Sequence, residues 1–305
     1  MLTIKAVTSE QDFITMCDIE SAVIKNGDYA IYTTHPSHLV ADRYLYGSAQ
    51  GFFTYGKLIM NGNTVIGYML AYLVYPDETE FAVRLLPQFI DYYQAALESI
   101  ETTFINKTSF SIITNHTNHA LCKALLECGF VCEKETRWQS GLDLRKYKET
   151  EVVWQDEIIK PLSEADIDDR VKYAEIPTGT AITRTMYEEL MSCDYYKAAL
   201  DYVIRDKKTN EFIGFITWWI DENSKTATLA VAACLPTFRR RGITKRALIH
   251  TLNELKRYEL QYAYVSTSIY NEKAQPLYCS VGFQKIGTTC RYLKEKLNRR
   301  EERSE

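Results

Sequence analysis

The sequence predicts an α/β fold built from two tandem domains, and three observations support this prediction. The chain has 305 residues and a mass of 35.3 kDa, about twice the common domain length of ~150 residues. Strand-like runs alternate with segments of helical spacing, which is the pattern of an α/β architecture. The two halves of the chain also resemble each other in order and spacing, as expected after a tandem duplication.

The internal repeat places similar segments about 150 residues apart, close to one domain length. The matching pairs are Ile4–Thr8 with Ile159–Ser163, Val65–Tyr68 with Phe212–Phe215, Leu86–Phe89 with Leu235–Phe238, and Gly129–Phe130 with Gly282–Phe283. The polar, charged run Arg145–Glu151 lies between the two copies. We therefore predict a first domain at residues 1–148 and a second at 149–305.

Composition and charge exclude several classes of protein. Hydrophobic residues make up 46% and charged residues 25% of the chain, as in ordinary globular domains. The net charge of −4 argues against a nucleic-acid partner, and no apolar run reaches the ~18 residues of a membrane span. The N-terminus lacks the layout of a signal peptide, and the eight cysteines form no C-x-x-C pair. We expect a cytoplasmic protein with reduced thiols, and a homodimer is compatible with this composition.

The elements of the second half follow in order. Apolar β-rich runs separated by polar turns predict strands, and recurrence at three and four residues predicts a helix. The predicted strands are Tyr202–Arg205, Phe212–Ile220, Ala227–Leu235, Tyr262–Thr267 and Phe283–Leu293, and the predicted helices are Lys245–Tyr258 and Glu272–Ser280. The first half has the same outline.

A dense basic run, Arg239–Arg246, directly follows the strand that ends at Leu235. A helix that starts just after a strand presents free backbone N–H groups and the positive end of its dipole, and Gly242 lets an anion approach the backbone. These features favour a phosphate site. The alternatives are a solvated basic helix face, a nuclear-localisation signal or a nucleic-acid patch.

Two motifs resemble those of the GNAT superfamily of acyl-CoA N-acyltransferases. The family's first signature is Arg or Gln, two residues, Gly, one residue, and Gly or Ala after the fourth strand. This chain reads Pro236-Thr237-Phe238-Arg239-Arg240-Arg241-Gly242-Ile243-Thr244, which departs from the pattern at Thr244. The second signature is similar to Asn271, Ala274, Tyr278 and Gly282-Phe283. The resemblance covers residues ~150–295.

The resemblance implies two GNAT-like domains, each a twisted, mostly antiparallel mixed sheet with flanking helices and splayed fourth and fifth strands. It implies N-acetyl transfer from acetyl-CoA, without a metal, by direct attack of a primary amine in a ternary complex. The implied acetyl-CoA contacts are Cys234, Leu235, Pro236, Arg239, Arg240, Arg241, Gly242, Ile243, Thr244 and Asn271. The backbone N–H near Cys234 would polarise the thioester carbonyl, and Tyr278 would be the general acid. The alternative is a CoA-binding or partner-binding module without turnover.

The general base and the acceptor are less well specified. No acid lies on either predicted strand that would flank the cofactor, so the candidates are Glu188, Glu189, Asp194 or a water chain. The resemblance places the acceptor pocket between residues 176–196, the strand end at Trp218-Trp219 and the first domain, with Tyr187, Tyr195 and Tyr196 as an aromatic rim. We expect a small-molecule or peptide amine, and the acidic surplus of the first half favours a cationic one.

The first half resembles the family without its functional residues. After Pro87 it has Phe89–Tyr93 in place of the basic motif, Asp91 would repel a phosphate, and Leu125 stands where the second half has Tyr278. We predict a degenerate copy with a packing or substrate-shaping role, and the rival hypothesis is that its cleft binds an acyl chain or second ligand.

A further cluster in the first half has zinc-like residue types. Its members are His116, His119, Cys122, Cys128 and Cys132. Structural zinc ligands usually occur as pairs on turns, whereas several of these residues fall on a predicted helix and do not converge. We expect no metal here.

Overall fold

The computed structural model describes residues 2–27, 35–46, 55–74, 78–104, 108–175, 181–196 and 198–295. The strands within these ranges are β1 Leu2–Ala6, β2 Gly56–Asn61, β3 Thr64–Val74, β4 Glu78–Leu85, β5 Ser109–Asn115, β6 Val131–Asp143, β7 Glu157–Pro161, β8 Asp201–Asp206, β9 Phe212–Asp221, β10 Thr226–Cys234, β11 Tyr262–Ser268 and β12 Gln284–Glu295. The α-helices are α1 Glu10–Lys25, α2 Pro36–Ala41, α3 Tyr93–Thr103, α4 His119–Glu127, α5 Ile167–Lys172, α6 Arg184–Met191, α7 Ile243–Leu255 and α8 Ala274–Cys279. None of the helices in these ranges is long and apolar enough to cross a membrane.

The predicted elements of the second half are present, with small shifts at their ends. Helix α7 begins at Ile243, two residues before the predicted start, because Gly242 in a left-handed conformation serves as its N-cap. Its apolar face is fully buried at Ala247, Leu248, Leu252 and Leu255, as the three- and four-residue spacing predicts.

The described residues form two compact units. Unit 1 comprises residues 1–36, 49–138 and 287–305, and unit 2 comprises 37–48 and 139–286. The strand order of unit 1 is β1-β2-β3-β4-β5-β12-β6, and that of unit 2 is β6-β11-β10-β9-β8-β7. Strand β6 contributes to both units because the boundary falls within it, after Trp138. Both units are mixed sheets with helices, as the sequence predicts.

Each unit therefore contains a strand from the other half of the sequence. In unit 1, β12 pairs with β5 from Thr289–Asn115 to Glu295–Ser109. In unit 2, the end of β6 lies beside β11, where the N–H of Leu144 donates to the carbonyl of Gln261 at 2.9 Å. The sequence division at 148 and 149 and the compact units of the structure thus differ at these strands and at residues 37–48.

Both units have one parallel strand pair that separates after a few residues. In unit 1, β4 and β5 pair from Glu78 to Phe81. In unit 2, β10 and β11 pair from Thr226 to Thr228. The remaining neighbours with a recorded register are antiparallel. The prediction of mostly antiparallel sheets with splayed fourth and fifth strands is confirmed, and in unit 2 the separation positions the candidate site.

Candidate functional site

The site in unit 2 is organised around the free edge of β10, which we call the open edge (Leu229–Cys234). A β-bulge interrupts the pairing of β10 with β9 between Leu229 and Val231, close to the point where β10 leaves β11. Ala230 is exposed, and Val231, Ala232 and Ala233 are half-buried. The open edge therefore presents small side chains and backbone groups that have no partner on β11.

The backbone N–H of Cys234 faces the open edge. The N–H of Leu235 donates to the carbonyl of Ile213 on the β9 side at 2.8 Å. Because successive residues of a strand direct their N–H groups to opposite edges, the N–H groups of Cys234 and Ala232 face the open edge. This orientation is the one that the sequence prediction for Cys234 requires.

The segment that follows, which we call the basic loop (Leu235–Gly242), changes backbone handedness twice. A 3₁₀ turn spans Pro236–Phe238. Arg239 is then extended, Arg240 has φ +64° and Gly242 has φ +72°. Left-handed residues alternating with others point consecutive N–H groups toward one side and form an anion-binding concavity. The left-handed conformation of Arg240 was not foreseen from the sequence.

Helix α7 adds its own N–H groups at the end of this loop. The first N–H groups of an α-helix have no carbonyl partner within the helix. In α7 the N–H of Arg246 donates to the carbonyl of Gly242, one turn earlier, at 3.1 Å. Gly242 has no side chain to cap them. The N–H groups of Ile243 and Thr244 thus lie at a free helix start, the kind of position at which phosphates bind in proteins.

Three arginine side chains hold the loop in this shape. Arg239 donates from Nε to the carbonyl of Cys234 at 3.0 Å, and Arg241 donates from Nη2 to the carbonyl of Thr237 at 3.2 Å. Arg246 donates from Nη1 to the carbonyl of Arg241 at 3.1 Å and pairs with Glu157. Arg240 is exposed. The guanidinium groups stabilise the loop and give it positive charge, while direct phosphate contact by Arg239, Arg240 and Arg241 stays a prediction.

The other predicted contacts of the loop have identifiable local roles. Leu235 and Pro236 begin the 3₁₀ turn, and Ile243 anchors the helix start in the core with 4% exposure. The Thr244 hydroxyl hydrogen-bonds to the Cys234 thiol, and burial raises the pKa of that thiol. Cys234 is therefore protonated at neutral pH and unsuited to a nucleophilic role.

Asn271 and Tyr278 frame α8. The Asn271 side chain accepts a hydrogen bond from the N–H of Ala274 at 3.3 Å and donates to Thr267 at 3.1 Å, so it orders the start of the helical segment. Tyr278 is 8% exposed and packs edge-on against Phe283 with 6.2 Å between ring centroids. Burial of Tyr278 leaves only a small part of the side chain accessible. Cofactor contact by Asn271 and proton donation by Tyr278 stay predictions.

A buried carboxylate, Asp201, was missed by the sequence analysis. It is fully buried at the start of β8. Thr217 donates to its Oδ1 at 2.8 Å, Tyr196 donates to its Oδ2 at 3.1 Å, and Tyr187 donates to the same oxygen. Arg170 lies 3.8 Å from Oδ1. We call these residues the Asp201 network. An acid within a short β-rich run carries no pattern that would have distinguished it.

The Asp201 network affects the tyrosines that were predicted to form an aromatic rim. Burial, reinforced by the charge of Asp201, raises the pKa values of Tyr187 and Tyr196. Tyr187 is 1% exposed, so its placement in a ligand-stacking rim was wrong: it is a core residue. Tyr195 and Tyr196 are half-buried and remain candidates. Residues 176–180 of the predicted pocket lie outside the described residues.

The candidate general bases and the two tryptophans predicted at the acceptor pocket differ in exposure and in their contacts. Glu188 is ion-paired with Arg184 at 2.7 Å, whereas Glu189 and Asp194 are exposed. Trp218 is buried and donates to Thr251 of α7 at 2.9 Å, so it faces the helix core and not a pocket. Trp219 lies edge-on to Tyr196 with 6.0 Å between centroids.

Unit 1 contains the same strand end in a closed form. The N–H of Leu86 donates to the carbonyl of Ile66 at 2.8 Å, as Leu235 does to Ile213, so Arg84 occupies the place of Ala233. Ala82 and Val83 are fully buried, and Arg84 is 1% exposed beside Glu20, with 3.6 Å between Nε and Oε1. The edge that is open in unit 2 is filled in unit 1.

The zinc-like residues of the first half have hydrogen-bond partners on the backbone. His116 Nδ1 lies 2.9 Å from the carbonyl of Thr288, and the Cys122 thiol contacts the carbonyl of Asn115 at 3.6 Å. Across the described parts of the chain, no group of three or more His, Cys, Asp or Glu residues is arranged to hold a metal ion.

Comparison with known proteins shows what the sequence around this site is similar to. Residues 171–283 match the sequence profile of the acetyltransferase (GNAT) family, a range that contains the open edge, the basic loop and Tyr278. No curated protein matches the sequence significantly.

Solved structures of tandem length share the fold. A GNAT-family acetyltransferase from Colwellia psychrerythraea is similar with a TM-score of 0.65 and 13% identity, covering 96% of this chain and 100% of that one. A GCN5-related N-acetyltransferase from Sphaerobacter thermophilus has a TM-score of 0.64 at 11% identity, covering 96% and 95%. A tandem GNAT protein from the clavulanic acid biosynthesis pathway has a TM-score of 0.64 at 10% identity, covering 97% and 98%.

Proposed function

Because residues 171–283 form a GNAT-family acetyltransferase domain in a chain with a tandem GNAT fold, we propose that the protein is an N-acetyltransferase. It moves an acetyl group from acetyl-CoA to a primary amine of a small molecule or peptide, by direct attack in a ternary complex. The observation that carries this proposal is the continuity of the open edge with the basic loop. One stretch of backbone, from Ala230 to Thr244, offers unpaired N–H groups first along a strand and then around a concavity.

This arrangement fits the chemistry of acetyl-CoA. A pyrophosphate needs convergent N–H donors and positive charge, which the basic loop and the start of α7 supply. A pantetheine arm carries amides that pair with a free strand edge, as an added strand does. A Cβ atom at Gly242 would lie 3.1 Å from Arg246 Nη1, so the absence of a side chain keeps this cradle clear.

The residues of unit 2 have distinct roles in the proposed reaction. The N–H of Cys234 polarises the thioester carbonyl, so that negative charge developing on its oxygen is stabilised. The neutral amine then forms a C–N bond to the carbonyl carbon while the C–S bond breaks. Tyr278 donates its phenolic proton to the departing thiolate. The ammonium proton of the attacking amine leaves to water.

The test combines acetyl-CoA binding with thiol release in the presence of an amine panel. Isothermal calorimetry should show binding, and release of free CoA should depend on an added amine. Binding without release by any amine would instead support a non-catalytic CoA-binding module, and absence of binding would contradict both functions.

Tyr278→Phe tests the proton donor. We expect kcat to fall about 10²- to 10⁴-fold, the usual contribution of a positioned general acid, with unchanged affinity for acetyl-CoA. Tyr270→Phe is the matched control, since Tyr270 belongs to the same segment and is 77% exposed. Equal rates for Tyr278→Phe and the control would remove Tyr278 from the mechanism.

A further inference from the structure

A segment of the first half belongs to unit 2. Residues 37–48 cluster with residues 139–286, and their described part, Ser37–Tyr46, consists of most of α2 and a π-helical turn at Asp42–Tyr46. Leu39 and Val40 are buried, with 1% and 0% exposure. This amount of burial shows that the segment is an integral part of the unit. We call it the inserted segment.

The inserted segment packs against α6 and the turn that follows it. The π-helical turn contacts α6, and the Tyr44 hydroxyl hydrogen-bonds to the thiol of Cys193. The Arg43 guanidinium lies over the Tyr44 ring at 4.9 Å from its centroid and contributes positive charge at the same thiol. Burial raises the pKa of Cys193, so its thiol is protonated at neutral pH.

From Cys193, a short series of contacts leads to the open edge. The N–H of Tyr196 donates to the carbonyl of Cys193 at 2.9 Å, and the Tyr196 hydroxyl donates to Asp201 at 3.1 Å. Thr217 donates to Asp201 at 2.8 Å and lies directly opposite Val231 of the open edge. Directly paired residues of neighbouring strands place their side chains on the same face. Tyr196 and the bulge of β10 thus lie on one face of the sheet, and the inserted segment contacts the turn that leads to Tyr196.

An amine that reaches a thioester lying along the open edge has to approach over one of the two sheet faces. The opposite face is covered by α7, because Trp218 donates to Thr251 of that helix. The Asp201 face carries half-buried Tyr196, and the turn before Tyr196 is contacted at Cys193 by Tyr44 and Arg43.

We propose that the inserted segment forms the outer wall of the amine-acceptor site and selects among acceptors through Tyr44. This inference rests on the proposed acetyltransferase function. It gives the first half a substrate-shaping role in the site of the second half, although that half has closed its own strand edge. The competing explanation is that the segment only supports α6.

The experiment compares Tyr44→Leu with the unaltered protein on a fixed panel of amines: spermidine, glucosamine, tyramine and a lysine-containing peptide. Leucine keeps an apolar side chain against α6 but removes the hydroxyl and the ring. We expect the ratio of kcat/KM between at least two amines to change about tenfold, a typical effect of one altered pocket contact. The Kd for acetyl-CoA should change less than about twofold, because the substitution alters the acceptor side and leaves the proposed acetyl-CoA contacts as they are.

Two further variants separate selection from support. Tyr92→Leu is the control, since Tyr92 is also a first-half tyrosine but lies in unit 1 at 37% exposure; it should leave the ratios unchanged. Cys193→Ala removes the thiol to which Tyr44 hydrogen-bonds. It should shift the same ratios of kcat/KM between amines, in the same direction as Tyr44→Leu.

The outcomes are distinguishable. Unchanged ratios in Tyr44→Leu, or an equal loss of kcat/KM for all four amines accompanied by loss of acetyl-CoA affinity, would overturn the selective wall and leave the acetyltransferase proposal standing. Failure of the unaltered protein to acetylate any amine would overturn both proposals.

Discussion

At the scale of single residues, the basic loop is defined by two left-handed positions. Gly242 adopts φ +72° without steric strain, whereas Arg240 is strained at φ +64°. A Cβ atom makes this left-handed region unfavourable by about 1–2 kcal/mol. A strained residue is retained where the surrounding structure needs its geometry. Here that geometry turns consecutive N–H groups toward the proposed pyrophosphate.

The first prediction concerns Gly242. Gly242→Ala should lower unfolding free energy by about 1 kcal/mol through backbone strain and should also weaken acetyl-CoA binding about tenfold or more by disturbing the cradle. Gly62→Ala is the matched control: Gly62 also has a positive φ, of +59°, but has open space around it in the hairpin of unit 1. It should show the same loss of stability in urea unfolding with no change in calorimetric Kd. If both variants bind acetyl-CoA equally well, the cradle is misplaced.

A second prediction concerns the pH dependence of stability at Asp166, which is 2% exposed. Burial alone would raise the pKa of this carboxyl, but hydrogen bonds from Ser163, Lys160 and Arg205 outweigh burial and lower it to about 2. A pKa depressed in the folded state stabilises the protein above the unfolded value of about 3.9, and this contribution is lost as pH falls toward 2.

Asp166→Asn should therefore lower the free energy of unfolding by about 1–3 kcal/mol at pH 7, with a smaller deficit at pH 3. Asp156→Asn is the control, because Asp156 forms a surface pair with Lys208 in which its side chain is 73% exposed; such pairs contribute about 0–1 kcal/mol. Urea unfolding at both pH values measures the difference. A deficit for Asp166→Asn that does not change with pH would contradict the assigned pKa.

At the scale of elements, the chain continues differently after the two equivalent strand ends. Both units continue from the strand into a 3₁₀ turn, closed by the N–H of Phe89 to Leu86 and of Phe238 to Leu235. In unit 2 the chain then becomes extended at Arg239. In unit 1 a kink at Phe89, with φ −122° and ψ 18°, is followed by a second helical turn that runs through Tyr92 into α3. Without left-handed residues there, the N–H groups of unit 1 follow the helix and form no concavity.

We predict a stoichiometry of one acetyl-CoA per chain in calorimetry. Phe89→Leu and Asp91→Ala, in the loop of unit 1, should leave both stoichiometry and Kd unchanged, since the strand edge beside them is filled by buried side chains, including Arg84. Two molecules per chain, or a reduced stoichiometry in either variant, would show that the first half also binds the cofactor.

At the scale of the whole molecule, the exchange of strands couples the two halves of the sequence. Unit 1 needs β12 between β5 and β6, and unit 2 needs the end of β6 beside β11. A sheet that loses a strand exposes unpaired N–H and C=O groups and apolar surface.

A fourth prediction concerns the stability of the two halves of the chain as separate fragments, since each unit contains a strand from the other half. A fragment of residues 1–148 lacks β12 and should show no cooperative urea unfolding, and a fragment of 149–305 lacks the end of β6 and should be destabilised. Co-expression of both fragments should restore a stable 1:1 complex, detected by size-exclusion chromatography and circular dichroism. Cooperative unfolding of fragment 1–148 alone would show that β12 is dispensable for unit 1.

The sequence by itself determined the local features of this protein. The strands and helices of the second half, the basic run and its Gly242 follow from patterns that span fewer than about 20 residues. Period-two and period-3.6 spacing, and a glycine at a helix start, act through the backbone of their own segment, so they remain visible without any tertiary contact.

Tertiary structure alone decided which distant segments meet. Asp201, Thr217 and Tyr196 form one buried network only because β8 and β9 pair in a given register. Tyr187, expected at a pocket rim, is instead buried, and its hydroxyl donates a hydrogen bond to Asp201. The exchange of β6 and β12 and the placement of residues 37–48 in unit 2 depend on pairings between residues more than about 100 positions apart. A strand's own sequence specifies which face is buried but not which neighbour it pairs with, so these choices were made by the packing of the whole chain.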